Sequence, residues 1–516
     1  MKPKIIVLYV VAVLLVMLGI TALSTKVMSN GEETEGFQVM GVTIKYPTTE
    51  TYIKRKLTKK KKDNKQIDSI VTSIETIVAD IEDLPEEETA EEVVVDTTVQ
   101  KVNVPDFSKI DTSKIQRIAY PENKTEFLAK LKEQFKKSHT RIIHYGDSQL
   151  EGDRISGYVR NRLQGIYGGN GPGFIPIKQV YHQLSADVTC TDNWLRYAAF
   201  DPTQSRFEHK KYGVFTTLSR FTEPLTVPLD SINVDSLPVV AASFKVGYSK
   251  RTYANFRKFS KVTVHYGNTV MPVGVKVFNN DTLIKQDSLK VDSLYHALTI
   301  NLKQTPTNLR FEFTGKVSPD FYGLTLDSPT GVTLDNVAMR GASGTVFTKL
   351  SEPNYSSMVN NLNPDVFIFQ YGGNTVPYLK DSLGVTNYCR YVLANVNWVR
   401  RKAPEASILF IGPSDMTTSK DGEFFTYELL PYLNEKLKAT CLSNDIAYWD
   451  MFHAMGGENA MEHWVDQGLA GTDYTHFTPK GTKIISELFF IALYLDLSGS
   501  EPQASEMKEQ INENGT

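Results

Sequence analysis

Cysteine is scarce in this chain: Cys190, Cys389 and Cys441 are the three among 516 residues. They fall in no metal-ligand spacing. They allow at most one disulfide with one thiol left over, which excludes a disulfide-built scaffold and makes small core residues the natural reading. An excess of charge is also lacking. With 56 basic and 59 acidic side chains the formal net charge is −3, so no basic face is implied and a nucleic-acid role is disfavoured. No spacing points to a metal or an organic cofactor. What remains is 41% hydrophobic and 22% charged, ample for two packed domains and a tail.

One long apolar run stands at the amino terminus. Lys2 and Lys4 precede uncharged residues 5–23, which as a helix at about 1.5 Å per residue would span close to the roughly 30 Å hydrocarbon layer. The run exceeds the roughly 7 to 15 residues of a signal-peptide core, so residues 1–24 read as an uncleaved transmembrane anchor in the inner membrane; Ala22-Leu23-Ser24 leaves a removed signal as the alternative. The basic end places the amino terminus in the cytoplasm and the rest in the periplasm or otherwise outside. Residues 25–106 read as a charged linker. It has a basic block (Lys54, Arg55, Lys56, Lys59, Lys60, Lys61, Lys62 and Lys65) and an acidic one (Glu82, Asp83, Glu86, Glu87, Glu88, Glu91 and Glu92). Between them Ile67, Ile70, Ile74, Ile77, Ile81 and Leu84 alternate spacings of three and four. That rhythm predicts a short amphipathic helix over residues 67–84 that docks on a partner or self-associates. Residues 501–516 read as a disordered tail.

Alternating strands and helices occupy residues 107–183 and 334–500, predicting an α/β domain. Residues 141–145 form a short buried strand with Gly146-Asp147-Ser148-Gln149 at its carboxyl end, where open α/β sheets collect ligands. Gly152-Asp153 can cap a helix through Tyr158, Val159, Leu163 and Ile166, ended by Gly168-Gly169. An all-apolar strand over 366–369 suits a parallel sheet covered on both faces and leads to Tyr371-Gly372-Gly373-Asn374. A third strand, 407–411, ends at Gly412-Pro413-Ser414-Asp415. Asp473-Tyr474-Thr475-His476 precedes a helix beginning near Pro479. Across residues 184–333 the period changes to two: Val262, Val264 and Tyr266; Val273, Val275 and Val277; Leu298, Ile300 and Leu302; Leu309, Phe311 and Phe313. Turn residues separate these runs, among them Gly267-Asn268, Asn279-Asn280-Asp281 and Pro306-Thr307-Asn308. The pattern predicts an inserted β-sandwich, closed by a hairpin of residues 324–327 and 332–335.

A serine hydroxyl is a weak nucleophile that needs an imidazole to take its proton and donors to hold the oxyanion. Ser148 and His476 fit the first need; Gly344 in Arg340-Gly341-Ala342-Ser343-Gly344, Asn374 and the N–H of Ser148 fit the second. This order of serine, glycine, asparagine and histidine resembles the SGNH (GDSL-type) hydrolase family. The resemblance implies a three-layer, flavodoxin-like parallel sheet flanked by helices, and ester hydrolysis. It makes Ser148 the nucleophile, His476 the base, Asp473 the orienting carboxylate, and Gly344 and Asn374 oxyanion donors. Two positions depart from the family pattern: Gln149 stands where leucine is usual, and no asparagine opens the second block, which keeps Gly341 beside Gly344 as a choice. An SGNH domain split by a carbohydrate-binding-module-like sandwich is similar to periplasmic peptidoglycan O-acetylesterases. Gly171-Pro172-Gly173-Phe174-Ile175-Pro176 and Met455-Gly456-Gly457-Glu458-Asn459-Ala460-Met461 look like that subgroup too. The resemblance implies an envelope esterase acting on an O-acetylated glycan, with the sandwich either binding sugar or shielding the site. The same residues would serve an O-acetyltransferase supplied by a membrane O-acyltransferase. A noncatalytic glycan-binding protein is the reading from another class.

Overall fold

The computed structural model describes residues 3–29, 32–39, 42–49, 65–79, 110–181, 184–204, 206–420 and 422–499. The basic block at 54–62, the acidic block at 82–92, Ile81, Leu84 and the tail 501–516 lie outside the described residues. The chain divides into residues 1–65 and 66–516.

In the first unit Pro3–Leu23 is a helix of 21 residues. Its side chains are described from Leu8 onward, and among the described residues no helix is long and apolar enough to cross a membrane. The expectation of a tether beginning at residue 25 is corrected here. Thr25–Ser29, Glu32–Val39 and Val42–Lys45 form a three-stranded antiparallel sheet. Phe37 pairs with Ile44 and Val39 with Val42 across it, and such apolar cross-strand pairs hold a charge-rich segment in register.

The second unit is built on a five-stranded parallel sheet. Its strands are β1 (His139–Gly146), β2 (Gly331–Ala338), β3 (Val366–Gln370), β4 (Ser407–Ile411) and β5 (Ala447–Trp449), in spatial order 2-1-3-4-5. That is the flavodoxin-like order. Alternate residues serve opposite faces, so both faces of the sheet carry apolar side chains. Ile142, Ile368 and Leu409 pack beneath the helices Lys124–Phe135, Arg154–Tyr167 and Pro479–Ser498. Ile143, Phe367 and Phe410 pack beneath Glu352–Leu362, Ser382–Arg400 and Leu430–Leu442. Cys389 and Cys441 are buried on this second side and Cys190 is half-buried; all three are free thiols. Burial pushes each upward, Cys389 to about 11.

Between β1 and β2 the chain builds two antiparallel sheets. One runs Asp292–Asn301, Lys261–Thr269, Asp320–Asp327, Thr217–Arg220, Leu195–Ala198; the other runs Thr282–Ser288, Val273–Asn279, Leu309–Gly315, Val240–Gly247, Asp187–Cys190. Their inner faces share one core, where Trp194 meets Phe244, Phe313 and Phe321 edge-on.

Four local expectations need correction. Residues 324–327 and 332–335 are not a hairpin: the first belong to the sandwich, while the second lie in β2, parallel to β1. Parallel pairing gives Val332 and Leu334 a covered face that a terminal hairpin would not. The division at 183/184 also shifts, because Gly173–Ile175 already pairs with the sandwich strand Asp320–Asp327. Gly267-Asn268 is no turn but an irregularity inside Lys261–Thr269, with Asn268 at φ +53°. Asp153 makes no helix cap; it stands at φ +60°, and its carboxylate pairs with the buried Arg160 at 2.6 Å and accepts from Ser185. A guanidinium with no exposed surface requires that charge more than the helix requires a cap.

The helix Lys65–Ala79 lies on the core of the parallel-sheet domain. Ile74 is fully buried there, and Val71 and Val78 pack against the same cluster. Asp68 meets His463 at 2.6 Å and Glu75 meets Lys480 at 2.7 Å. Of the face expected to meet a partner or a second copy, the Ile74 side chain is thus covered within the chain.

Sandwich and sheet are joined by a buried ion triad. Arg141 of β1 donates to Asp335 of β2 at 2.7 Å and to Asp327, the last residue of a sandwich strand, at 2.5 Å. Removing one member of such a group strands the others without water, at about 3 to 5 kcal/mol. Arg141→Met is therefore expected to lower unfolding free energy by about that amount in a denaturant titration; a loss below about 1 kcal/mol would mean the carboxylates find other partners.

Candidate active site

Ser148 opens a short 3-10 segment, Ser148–Asp153, directly after β1. Gly146 makes that turn possible, since a Cβ there would sit 2.6 Å from Leu150 Cδ1. Asp147 caps the segment, accepting the Gln149 N–H at 3.0 Å. As the first residue of the segment, Ser148 has an N–H with no intrahelical acceptor. His476 arrives on the loop before Pro479–Ser498, a helix whose cap Thr478 accepts from the Gly481 N–H at 3.2 Å. Asp473 organises that loop: its carboxylate accepts the N–H groups of Thr475 at 3.1 Å and His476 at 3.0 Å. The same carboxylate meets His476 Nδ1 at 2.7 Å, and His476 Nε2 meets Ser148 Oγ at 2.8 Å. A proton held on Nδ1 by Asp473 leaves Nε2 as the acceptor for the serine hydroxyl. Burial pushes the Asp473 carboxyl upward, but hydrogen bonds from His476 and Thr475 outweigh it and hold it below the usual carboxylate value.

Asn374 sits in the segment Gly373–Tyr378 after β3. Its amide donates to Asp147 Oδ2 at 2.9 Å and to Ala342 O at 3.2 Å. Ser148, Asn374 and His476 line one pocket of about 60 Å³, with Tyr371, Met416 and Met451 among its apolar walls. Asp473 stands behind His476. Gly344 does not line that pocket; it is buried against Tyr371 at φ +76°, where a Cβ would lie 2.8 Å from the ring. Gly341 is exposed, with open space around its Cα. The structure therefore brings together Ser148, His476, Asp473 and Asn374, and sets Gly344 behind the aromatic wall.

Several supporting residues escaped the sequence reading. Asp147 is buried, and this pushes its carboxyl to about 6 against the hydrogen bonds from Gln149 and Asn374. Gln149, the departure from leucine, donates from Nε2 to Thr475 O at 2.8 Å and so ties the serine turn to the histidine loop. That polar substitution at a buried position was the legible signal. Arg154 donates to the Ser148 carbonyl, and Arg340 pairs with Glu151, fastening the second block to the first. Beneath the turn, His144 Nδ1 meets Ser156 Oγ at 3.0 Å, Ser156 donates to Asn336 at 3.3 Å, and Asn336 donates to Leu150 O at 3.0 Å. Burial drives His144 to about 3, keeping it neutral. Away from the pocket lining, Glu435, Asp450 and His453 bring possible metal-ligand atoms within 4.8 Å of one another. Asp450 is already engaged by His453 at 2.8 Å and Asn434 at 3.0 Å, which accounts for the cluster without an ion.

A 2-1-3-4-5 sheet with serine after β1, asparagine after β3 and an aspartate–histidine pair before the last helix is the arrangement expected of an SGNH-type serine hydrolase, here with an inserted sandwich. No family model and no curated protein matches the sequence. Among solved structures it is similar to a peptidoglycan O-acetylesterase at 19% identity and a TM-score of 0.56, over 74% of this chain and 99% of that one. This likeness is one of fold. A family two carbohydrate esterase from Cellvibrio japonicus (12% identity, 61% of this chain and 100% of that one) and a salicylyl-acyltransferase from a tetracycline biosynthetic pathway (12%, 62% and 96%) match at TM-scores of 0.23 and 0.27. Values so low add nothing to the first comparison.

Two outcomes test this geometry. Asp473→Asn is expected to lower kcat by about 10² to 10⁴, because the imidazole loses the acceptor that fixes its tautomer; unchanged kcat would remove Asp473 from the triad. Asp147 tests the electrostatics. A carboxyl raised in the folded state binds more protons folded than unfolded between about pH 4 and 6, so its contribution to stability falls as pH rises through that window. Replacing it with asparagine is expected to flatten the pH dependence of the unfolding midpoint there, raise the midpoint at pH 7 and lower activity.

Proposed function

We propose that this chain is a carbohydrate O-acetylesterase of the cell envelope, with peptidoglycan as its substrate. The observation that carries the reading is the continuous line of hydrogen bonds from Asp473 through His476 to Ser148, at 2.7 and 2.8 Å, on the wall of a small pocket. His476 withdraws the Ser148 proton as Oγ attacks the acetyl carbonyl. The oxyanion is taken up by the Ser148 N–H and the Asn374 amide, with Asn374 exchanging its long bond to Ala342 O for the new charge; Gly344, enclosed by Tyr371, is left out of that role. Collapse breaks the bond from the acyl carbon to the sugar oxygen, which leaves as a hydroxyl with the proton from His476, and water, deprotonated by His476, then releases acetate from the acyl-serine. A pocket of about 60 Å³ walled by Met416 and Met451 suits an acetyl group better than a long acyl chain. The fold shared with a peptidoglycan O-acetylesterase supports the substrate. The uncharged apolar run of residues 5–23 after Lys2 and Lys4 supports an anchor in the inner membrane with the catalytic unit in the periplasm.

The test is acetate release from O-acetylated peptidoglycan by the full chain. Ser148→Ala and His476→Ala are expected to bring it to background, and Asn374→Ala to lower turnover by about 10² to 10³. Turnover that survives Ser148→Ala would refute the acyl-serine route. Glycan binding without turnover in the folded native protein would favour the noncatalytic reading, and transfer of acetyl to an added sugar in place of hydrolysis would favour the transferase.

A further inference from the structure

A second hollow of about 410 Å³ lies beside the triad, within the roughly 300 to 1,000 Å³ common for ligand sites. It runs between the hydrolase and the inserted sandwich. Arg154 and Lys483 come from the hydrolase, just past the serine turn and the histidine loop, and Tyr181, Ser185 and Tyr253 come from the facing segments. The carboxylates of its wall are already neutralised, Glu151 by Arg340 and Asp153 by Arg160. Arg154 is held differently. Its Nε donates to Glu151 O at 3.0 Å and its Nη2 to Ser148 O, both backbone carbonyls. No carboxylate forms a salt bridge with it among the described residues, and its Nη1 has no acceptor there. A partly buried guanidinium oriented by carbonyls alone, one of them belonging to the nucleophile, is a fixed positive fork beside the reacting atom. Planar forks of this kind recognise carboxylates.

We propose that this cleft seats the sugar carrying the acetyl group, and that Arg154 binds a carboxylate borne by the same glycan. The inference rests on the esterase reading and deepens it: the substrate is an O-acetylated acidic glycan, with tyrosine faces beside its rings. The carboxylate could belong to a lactyl or peptide substituent or to a uronic acid, and the assay separates these sources.

The experiment compares kcat and KM of the full chain on three O-acetylated oligosaccharides: one with a muramic-acid residue, one with a uronate, and one neutral. At least a tenfold preference for one acidic substrate is expected, carried by KM. Arg154→Gln is expected to erase that preference and Arg154→Lys to restore part of it. Equal KM values for acidic and neutral substrates in the native protein would overturn the inference, as would an equal loss on all three in Arg154→Gln, the signature of a residue that only props the Ser148 carbonyl. Calorimetry on Ser148→Ala with the unacetylated sugar acid and its neutral counterpart decides the matter without turnover: at least tenfold tighter binding of the acid supports it, and equal binding overturns it. Acetate release with no preference defeats this inference alone; no release from any glycan, with the acid still bound tightly, defeats the esterase reading and leaves the acidic site standing.

Discussion

The buried contact of Arg141 with Asp327 and Asp335 is the constraint from which the arrangement of the catalytic unit follows. Three ionised groups without water have few acceptable geometries. One carboxylate ends a sandwich strand and another lies on β2, while the guanidinium belongs to β1, so satisfying the charges fixes the sandwich against the strand that delivers the nucleophile. The same strand ends in Gly146 and Asp147. Its first half therefore locks two folded parts together, and its carboxyl end presents the reacting hydroxyl.

At that end the chain uses polar bonds where a hydrophobic sheet edge would leave the loops independent. Asp147 holds Asn374, Gln149 holds the Thr475 carbonyl, and Glu151 holds Arg340. Three consecutive odd-numbered residues of one turn thus reach three other segments of the site. Beneath them His144, kept neutral by burial, continues the bonding through Ser156 and Asn336 to Leu150 O. Such pre-organisation lets electrostatic stabilisation act without rearrangement during the reaction.

Much of this was legible from periodicity. The consecutive apolar residues within β1, β3 and β4, and the alternating Val262–Val264 and Phe311–Phe313 runs, signal their environments because sheets covered on two faces and on one face demand different patterns. The order of the motif blocks pointed to residues that the fold brings into one pocket. What stayed hidden depends on long-range pairing. β5 is only Ala447–Trp449, too short for any period to show. β2 has the composition of a sandwich strand, and only its parallel partner β1 distinguishes it. Asp153 looked like a cap because the guanidinium it serves, Arg160, sits seven residues away and is buried, a property local sequence does not display. In the same way Gly344 appeared equivalent to an exposed donor, whereas Tyr371 encloses it.

The free cysteines carry a consequence for the chemistry of the surroundings. Thiol exchange and oxidation proceed through the thiolate. Burial holds Cys389 and Cys441 in the protonated form and disfavours the thiolate of the half-buried Cys190. Disulfide formation and thiol exchange are thereby disfavoured at all three positions, most of all at the buried Cys389 and Cys441.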